Sequence, residues 1–251
     1  GFTCQHSGTY EDPISAKTRE FDIRAVKEST IRDNLKFRLC LSVECKNIRE
    51  NFPLVVHCMP RESSESFMDL ICSSKPTRQL FPYAKYSECL KLNADPCAYK
   101  PQDPVGKSCD QVGRRNSSDG ELVGNDGDVF DKISQAINSS YDLIKECHYA
   151  GNDGVTVVSA VVPILVVPNE RIWTVWYDKN GNIEVGPSQT EHVAYYMDKS
   201  WEVGGEGERK QSYQLSHMEI VQFDSIESLV NNHLQIEEYL RRHFANAANQ
   251  A

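Results

Sequence analysis

Three residues raise the first chemical question: Asp22 in "TREFDIRAV", and Glu44 with Lys46 in "LSVECKNIREN". Two clustered carboxylates repel one another unless a cation joins them. Hard divalent ions such as Mg²⁺ take oxygen ligands, commonly one or two carboxylates together with water and phosphate oxygens. An Asp/Glu pair is therefore a plausible seat for Mg²⁺ (or Mn²⁺) in phosphodiester chemistry. A lysine two residues beyond the glutamate shares its strand face, where an ammonium can orient an attacking water and offset charge developing on phosphorus.

Those roles need elements that hold the three side chains together. In "TREFDIRAV" Phe21, Ile23 and Ala25 alternate with Glu20, Asp22 and Arg24; in "KFRLCLSVECK" Phe37, Leu39, Leu41, Val43 and Cys45 alternate with polar neighbours. A period of two predicts two strands, with Asp22, Glu44 and Lys46 facing away from the apolar side and Cys45 pointing into the core. Neighbouring strands lie about 4.8 Å apart, so an antiparallel pair brings Asp22 within reach of Glu44. "FPLVVHCMP" predicts a further short strand.

Residues 61–127, rich in Ser, Pro, Asp and Lys, read as an irregular insertion with helices at 65–72 and 83–92. From Asp128 the apolar residues Phe130, Ile133, Ile137, Ile144 and Cys147 predict an amphipathic helix, capped by Asp126 or Asp128 and leading into the buried strand "VTVVSAVVPILVV". Strands at "RIWTVWYD" and "HVAYYMD" follow, with a hairpin turn at Asn180-Gly181, then a strand at "HMEIVQFD" and a last amphipathic helix over 225–244. This mixture predicts one α/β domain across residues 1–251.

With 39% hydrophobic and 25% charged residues the chain is composed like an ordinary globular domain. Its longest apolar run is too short to cross a bilayer and carries Pro163, so no membrane span is expected. No basic, apolar leader follows Gly1. The nine cysteines are odd in number and fall partly in apolar runs (Cys40, Cys45, Cys58), which favours reduced thiols and a cytoplasmic setting. No CxxC pair supports zinc. The net charge of −9 opposes indiscriminate binding to nucleic acid, yet residues 75–115 hold eight basic side chains against four acidic. Lys75, Arg78, Lys107, Arg114 and Arg115 are thus candidates for phosphate contact, with Tyr83, Tyr86 and Tyr99 interleaved for stacking. "VGKSCD" is no P-loop, because Pro101 stands where the first glycine is needed. "NDGDVFD" lacks the closing glutamate of a calcium loop. His217 reads as a hydrogen-bonded structural histidine.

"TREFDIRA" followed by "LSVECKN" resembles the paired signature of the PD-(D/E)XK nuclease superfamily, the restriction-endonuclease-like fold, chiefly over residues 1–60. The resemblance implies an αβββαβ core formed by 1–60 and 128–168, an insertion at 61–127, and a C-terminal extension of hairpin, strand and helix at 169–251. It implies Mg²⁺-dependent hydrolysis of nucleic-acid phosphodiesters, DNA before RNA, with Asp22, Glu44 and the main-chain carbonyl of Cys45 as metal ligands and Lys46 as the catalytic lysine. Gln135 in "SQAIN" corresponds to a glutamine that some relatives carry on the helix after the lysine strand, although the tyrosine expected four positions later is Ser139. Phe21 replaces the proline of the PD pair, and the helix that many members place before the first strand would lie before Gly1. Restriction or defence is a typical setting, and a homodimer is the oligomer expected. The alternative is a catalytically inactive nuclease-fold module that binds nucleic acid or protein.

Overall fold

The computed structural model describes residues 1–74, 86–93, 95–114, 120–124, 127–151, 154–204 and 210–247. β1 (Thr3–Glu11), β2 (Thr18–Arg32) and β3 (Leu35–Cys45) form an antiparallel meander, with β2 and β3 joined by the two residues Asp33 and Asn34. The chain then forms β4 (Leu54–Pro60), β5 (Met68–Ser74), β6 (Tyr86–Leu92), β7 (Pro104–Arg114) and the short β8 (Leu122–Gly124). The first helix, α1 (Gly127–His148), leads into β9 (Thr156–Val167). β10 (Ile172–Tyr177), β11 (Ile183–Gln189), β12 (His192–Val203), β13 (Gln211–Gln222) and α2 (Ile226–Ala247) complete the order. The sheet runs β1, β2, β3, β9, β13, β12, β7, β4, β10, β11, with β5 and β6 attached through β9 and β8 through β7. The class is α/β, with one large mixed sheet.

β9 is central because its composition leaves no polar face to expose: every residue except Thr156 is buried. One edge pairs in parallel with β3 along its whole length. The other is shared, by antiparallel β5 at residues 156–160 and parallel β13 at 164–167. Pro163 falls between these two ladders. Val166 O accepts the Lys46 N–H, so even-numbered residues of β9 turn their backbone groups toward β3 and Pro163 turns toward the other edge, where no ladder partner requires an N–H.

α1 covers one face of β3 and β9 through Val129, Ile133, Ala136, Ser139, Ser140, Leu143, Ile144 and Cys147. Phe130, expected at the head of that stripe, is exposed, and Val129 is buried in its place. Small residues let the helix approach closely. Ser42 Oγ donates to Ala136 O at 3.0 Å and meets Ser139 Oγ, so polar atoms at the contact are paired. α2 covers the opposite face, where Leu229, Ile236 and Leu240 join Leu39, Leu41 and Val43 in one cluster. With both faces covered, β3 is buried continuously from Leu39 through Glu44.

The expectation that Glu44 faces away from the core is therefore corrected: it lies beneath α1 at 0% exposure. Cys45 is corrected in the opposite sense. It is exposed at the strand end, although Cys40 and Cys58 are buried as expected. Residues 61–127 also differ from the expected irregular insertion. The helix expected at 65–72 is a 3₁₀ turn at Ser63–Glu65 followed by β5, and the described part of 83–92 is β6. Short apolar runs do not separate helix from strand by period, and here the vacant edge of β9 decides. The Asn180-Gly181 turn is formed as expected, with Gly181 at φ +83° and Asp178 bonded to Asn182 across it. Among the described residues, which include all nine cysteines, no disulfide is formed. Among the described residues no helix is long and apolar enough to cross a membrane.

Candidate functional site

The β2–β3 register pairs Ile23 with Val43, and the next step places Asp22 opposite Glu44. The two carboxylates meet at the C-terminal end of β3, the end at which open α/β sheets usually bind ligands. Asp22 Oδ2 accepts the Cys45 N–H at 2.8 Å, and the Asp22 N–H reaches Glu44 Oε1 at 3.4 Å. Cys45 thus contributes a backbone donor that aims the aspartate.

A residue outside the expected set completes the cluster. Lys132, on α1, places Nζ 3.0 Å from Asp22 Oδ2 and 2.7 Å from Glu44 Oε2. One ammonium therefore joins the two carboxylates, the position that their mutual repulsion reserves for a cation. Its signal was present in the sequence. Lys132 precedes Ala136 by four and Ser139 by seven residues, which puts it on the sheet-facing side of α1, where an unpaired lysine would be costly.

The electrostatics follow from burial. Desolvation pushes the Glu44 carboxyl up to about 7, with the Asp22 charge adding to the rise and Lys132 only partly opposing it. Asp22 is 38% exposed; burial works against its charge too, but the Cys45 N–H and Lys132 outweigh it and hold its carboxyl below the usual range. Burial lowers Lys132, while the bonds to Glu44 and Asp22 raise it by more, so its ammonium persists. The pair splits into a firmly ionised aspartate and a glutamate that exchanges its proton near neutrality.

Lys46 lies at the same strand end, but its Nζ pairs with Asp128 Oδ2 at 3.2 Å across the first turn of α1. Its side chain borders a cleft of about 580 Å³ lined also by Asn47, Arg49, Asn51, Gln111 and Asp128. Asp22, Glu44 and Lys46 thus lie at the same strand end, Lys46 turned to Asp128 and the polar cleft, Asp22 and Glu44 to Lys132. Gln135 lies one turn beyond Lys132 on α1; its main-chain carbonyl accepts the Tyr10 hydroxyl at 3.5 Å and its buried Oε1 has no partner among the described residues.

The basic residues do not form one patch. Lys107 is paired with Glu65 and sits 4.7 Å from the Tyr196 ring centroid, while Arg114 donates to Gly120 O at 2.9 Å. Seven positions on an extended strand separate them by roughly 23 Å. Arg114 is the one near the cleft, since Asn51 Nδ2 donates to its carbonyl at 3.0 Å. Lys75, Arg78 and Arg115 lie outside the described residues.

Among the described residues no group of three or more His, Cys, Asp and Glu side chains gathers into a metal cage. The donors at Asp22 and Glu44 nonetheless suit Mg²⁺, which binds through one or two carboxylates and completes its shell with water and substrate oxygens. The chain matches no protein-family model, no curated protein and no solved structure.

Proposed function

We propose that the chain is a metal-dependent nuclease with a restriction-endonuclease-like core, hydrolysing phosphodiester bonds of nucleic acid, DNA first. The observation that carries this reading is the Asp22/Glu44 pair converging on a single cation at the end of β3. The order of meander, helix and parallel strand in β1–β3, α1 and β9 supports it. Asp22 and Glu44, with the main-chain carbonyl of Cys45, would hold Mg²⁺ or Mn²⁺. Bound there, such an ion supplies Lewis-acid charge to a phosphate oxygen and makes water a stronger acid.

The chain's own groups do the rest. Glu44 must lose its proton before its carboxylate is free for an ion, and its position near neutrality allows this. Lys132 neutralises the pair in the metal-free protein. Lys46, held by Asp128 at the cleft edge, orients the attacking water and answers charge developing at phosphorus. Arg49 lines the cleft and meets backbone phosphates there, with Arg114 joined to its border through the Asn51 bond to its carbonyl.

The test is cleavage of plasmid and single-stranded DNA with Mg²⁺ or Mn²⁺. Activity should fall by about a hundredfold or more in Asp22→Asn and Lys46→Ala. A folded protein that cleaves neither substrate with either metal would defeat the proposal. The Lys132 bridge favours one second reading, an inactive module in which the carboxylates serve only as a structural ion pair. That reading expects salt-sensitive DNA retention that survives Asp22→Asn and weakens when Arg49 and Arg114 are neutralised.

A further inference from the structure

A second polar cluster lies on the opposite face of the sheet. Glu219 of β13 aligns with Ile164 of β9, which aligns with Val43 of β3, so its side chain shares the α2 face with Val43 while Glu44 points to α1. Glu219 is fully buried and accepts three hydrogen bonds: from Tyr99 Oη at 2.9 Å and His233 Nε2 at 3.0 Å on Oε1, and from His192 Nε2 at 2.7 Å on Oε2. Burial alone would raise this carboxyl, but His192 and His233 outweigh it and hold it far below the ordinary range.

These groups line a cavity of about 230 Å³, walled also by Arg61, Trp176, Val193 and Leu229. It is too large for a single water and of a size for a molecule of several heavy atoms. Two of its polar walls are incomplete. Arg61 is 2% exposed; its Nη1 donates to Lys100 O at 2.9 Å, but its Nε has no partner among the described residues. The carboxylate nearest its guanidinium there, Asp103, is 3.9 Å away and largely solvated, so the buried cation lacks a close counter-charge. His233 is 1% exposed and its Nδ1 is likewise unpartnered. Nε2 faces an acceptor-only carboxylate and so carries a hydrogen, which leaves Nδ1 as the ring's open position and, whenever the ring carries one proton, a bare acceptor.

A group that satisfies both atoms brings an anionic acceptor for Arg61 and a hydrogen-bond donor for His233. Glu219 in the same wall disfavours a dianion such as phosphate, while Trp176, Val193 and Leu229 accept a short apolar body. We propose that this cavity binds a small hydroxy- or aminocarboxylate, its carboxylate on Arg61 and its hydroxyl or amino hydrogen on Nδ1 of His233. The site is separate from the Asp22/Glu44 pair and does not depend on the function assigned to it.

Side-chain ¹⁵N spectra of the histidines in the full chain test this directly, with lactate, glycine, acetate and inorganic phosphate as probes. Lactate or glycine should shift the His233 and His192 resonances saturably and leave His57, bonded to Asp110 elsewhere, unmoved. Acetate, which lacks the donor, should bind about tenfold more weakly, and Arg61→Lys should weaken lactate or glycine by about tenfold. No saturable shift with either probe up to about 50 mM would overturn the proposal. So would acetate or phosphate binding as tightly as lactate or glycine. The wild-type titrations decide the matter even if Arg61→Lys fails to fold.

Discussion

Glu44→Gln gives the sharpest account of the carboxylate pair. In the folded chain the Glu44 carboxyl rises from the usual 4.5 to about 7, and burial is the largest cause. The folded state therefore holds a proton that the unfolded chain has already released. This proton linkage favours the fold fully below about pH 4.5 and is lost as pH rises through about 7. A shift of this size at a residue without solvent exposure corresponds to about 3 kcal/mol. Glutamine keeps the shape and cannot titrate. Urea unfolding of both proteins at about pH 4.5 and pH 8 should show the stability of wild type, relative to Glu44→Gln, falling by about 3 kcal/mol as pH rises. The other titratable groups are common to both proteins, so their contributions cancel in the difference. The same proton competes with a metal. Apparent Mg²⁺ affinity of wild type should therefore increase about tenfold between pH 6 and pH 8, and level off above. Stability curves that stay parallel from pH 4.5 to 8 would refute the buried-carboxylate reasoning, whatever the chain proves to do with nucleic acid.

Two further outcomes follow from the same geometry. Lys132→Met should cost about 1–3 kcal/mol at pH 8 in a urea melt, capped because Glu44 can take a proton instead of remaining an unpaired buried charge, and millimolar Mg²⁺ should recover more stability in this variant than in wild type. An unchanged melt would mean that the ammonium does not hold the pair. Gly113→Ala should destabilise by about 3 kcal/mol, since a Cβ there would lie 1.8 Å from the Asn51 carbonyl oxygen, whereas Gly186→Ala meets nothing within 4 Å and should stay within about 0.5 kcal/mol of wild type by thermal melting.

The elements that were legible in the sequence share one property: their signal is local. Alternation in β2 and β3, the unbroken apolar run of β9, the helical stripes of α1 and α2 and the Asn180-Gly181 turn each depend on residues within a dozen positions. β5 and β6 were not legible, because "MDLICSS" and its partner become strands only by pairing with each other and with an edge of β9 more than eighty residues away. The burial of Glu44 was hidden for the same reason: alternation describes one covered face, while β3 is covered on both.

The sequence by itself determined that Asp22 and Glu44 share one face of the β2–β3 pair, since the apolar period of each strand sets it; that they stand directly opposite depends on the irregularity between Thr30 and Arg32, which shifts the register by one residue after the turn. Tertiary structure alone decided what stands between them. Only the docking of α1 on β3 brings Lys132 to both carboxylates and Asp128 to Lys46, and only the joining of β13 to β9 with α2 behind them gathers Arg61, His192, Glu219 and His233 around one cavity. The α1 contacts join residues about eighty to a hundred and ten positions apart, and the cavity draws on positions from Arg61 to His233, so no local period encodes either.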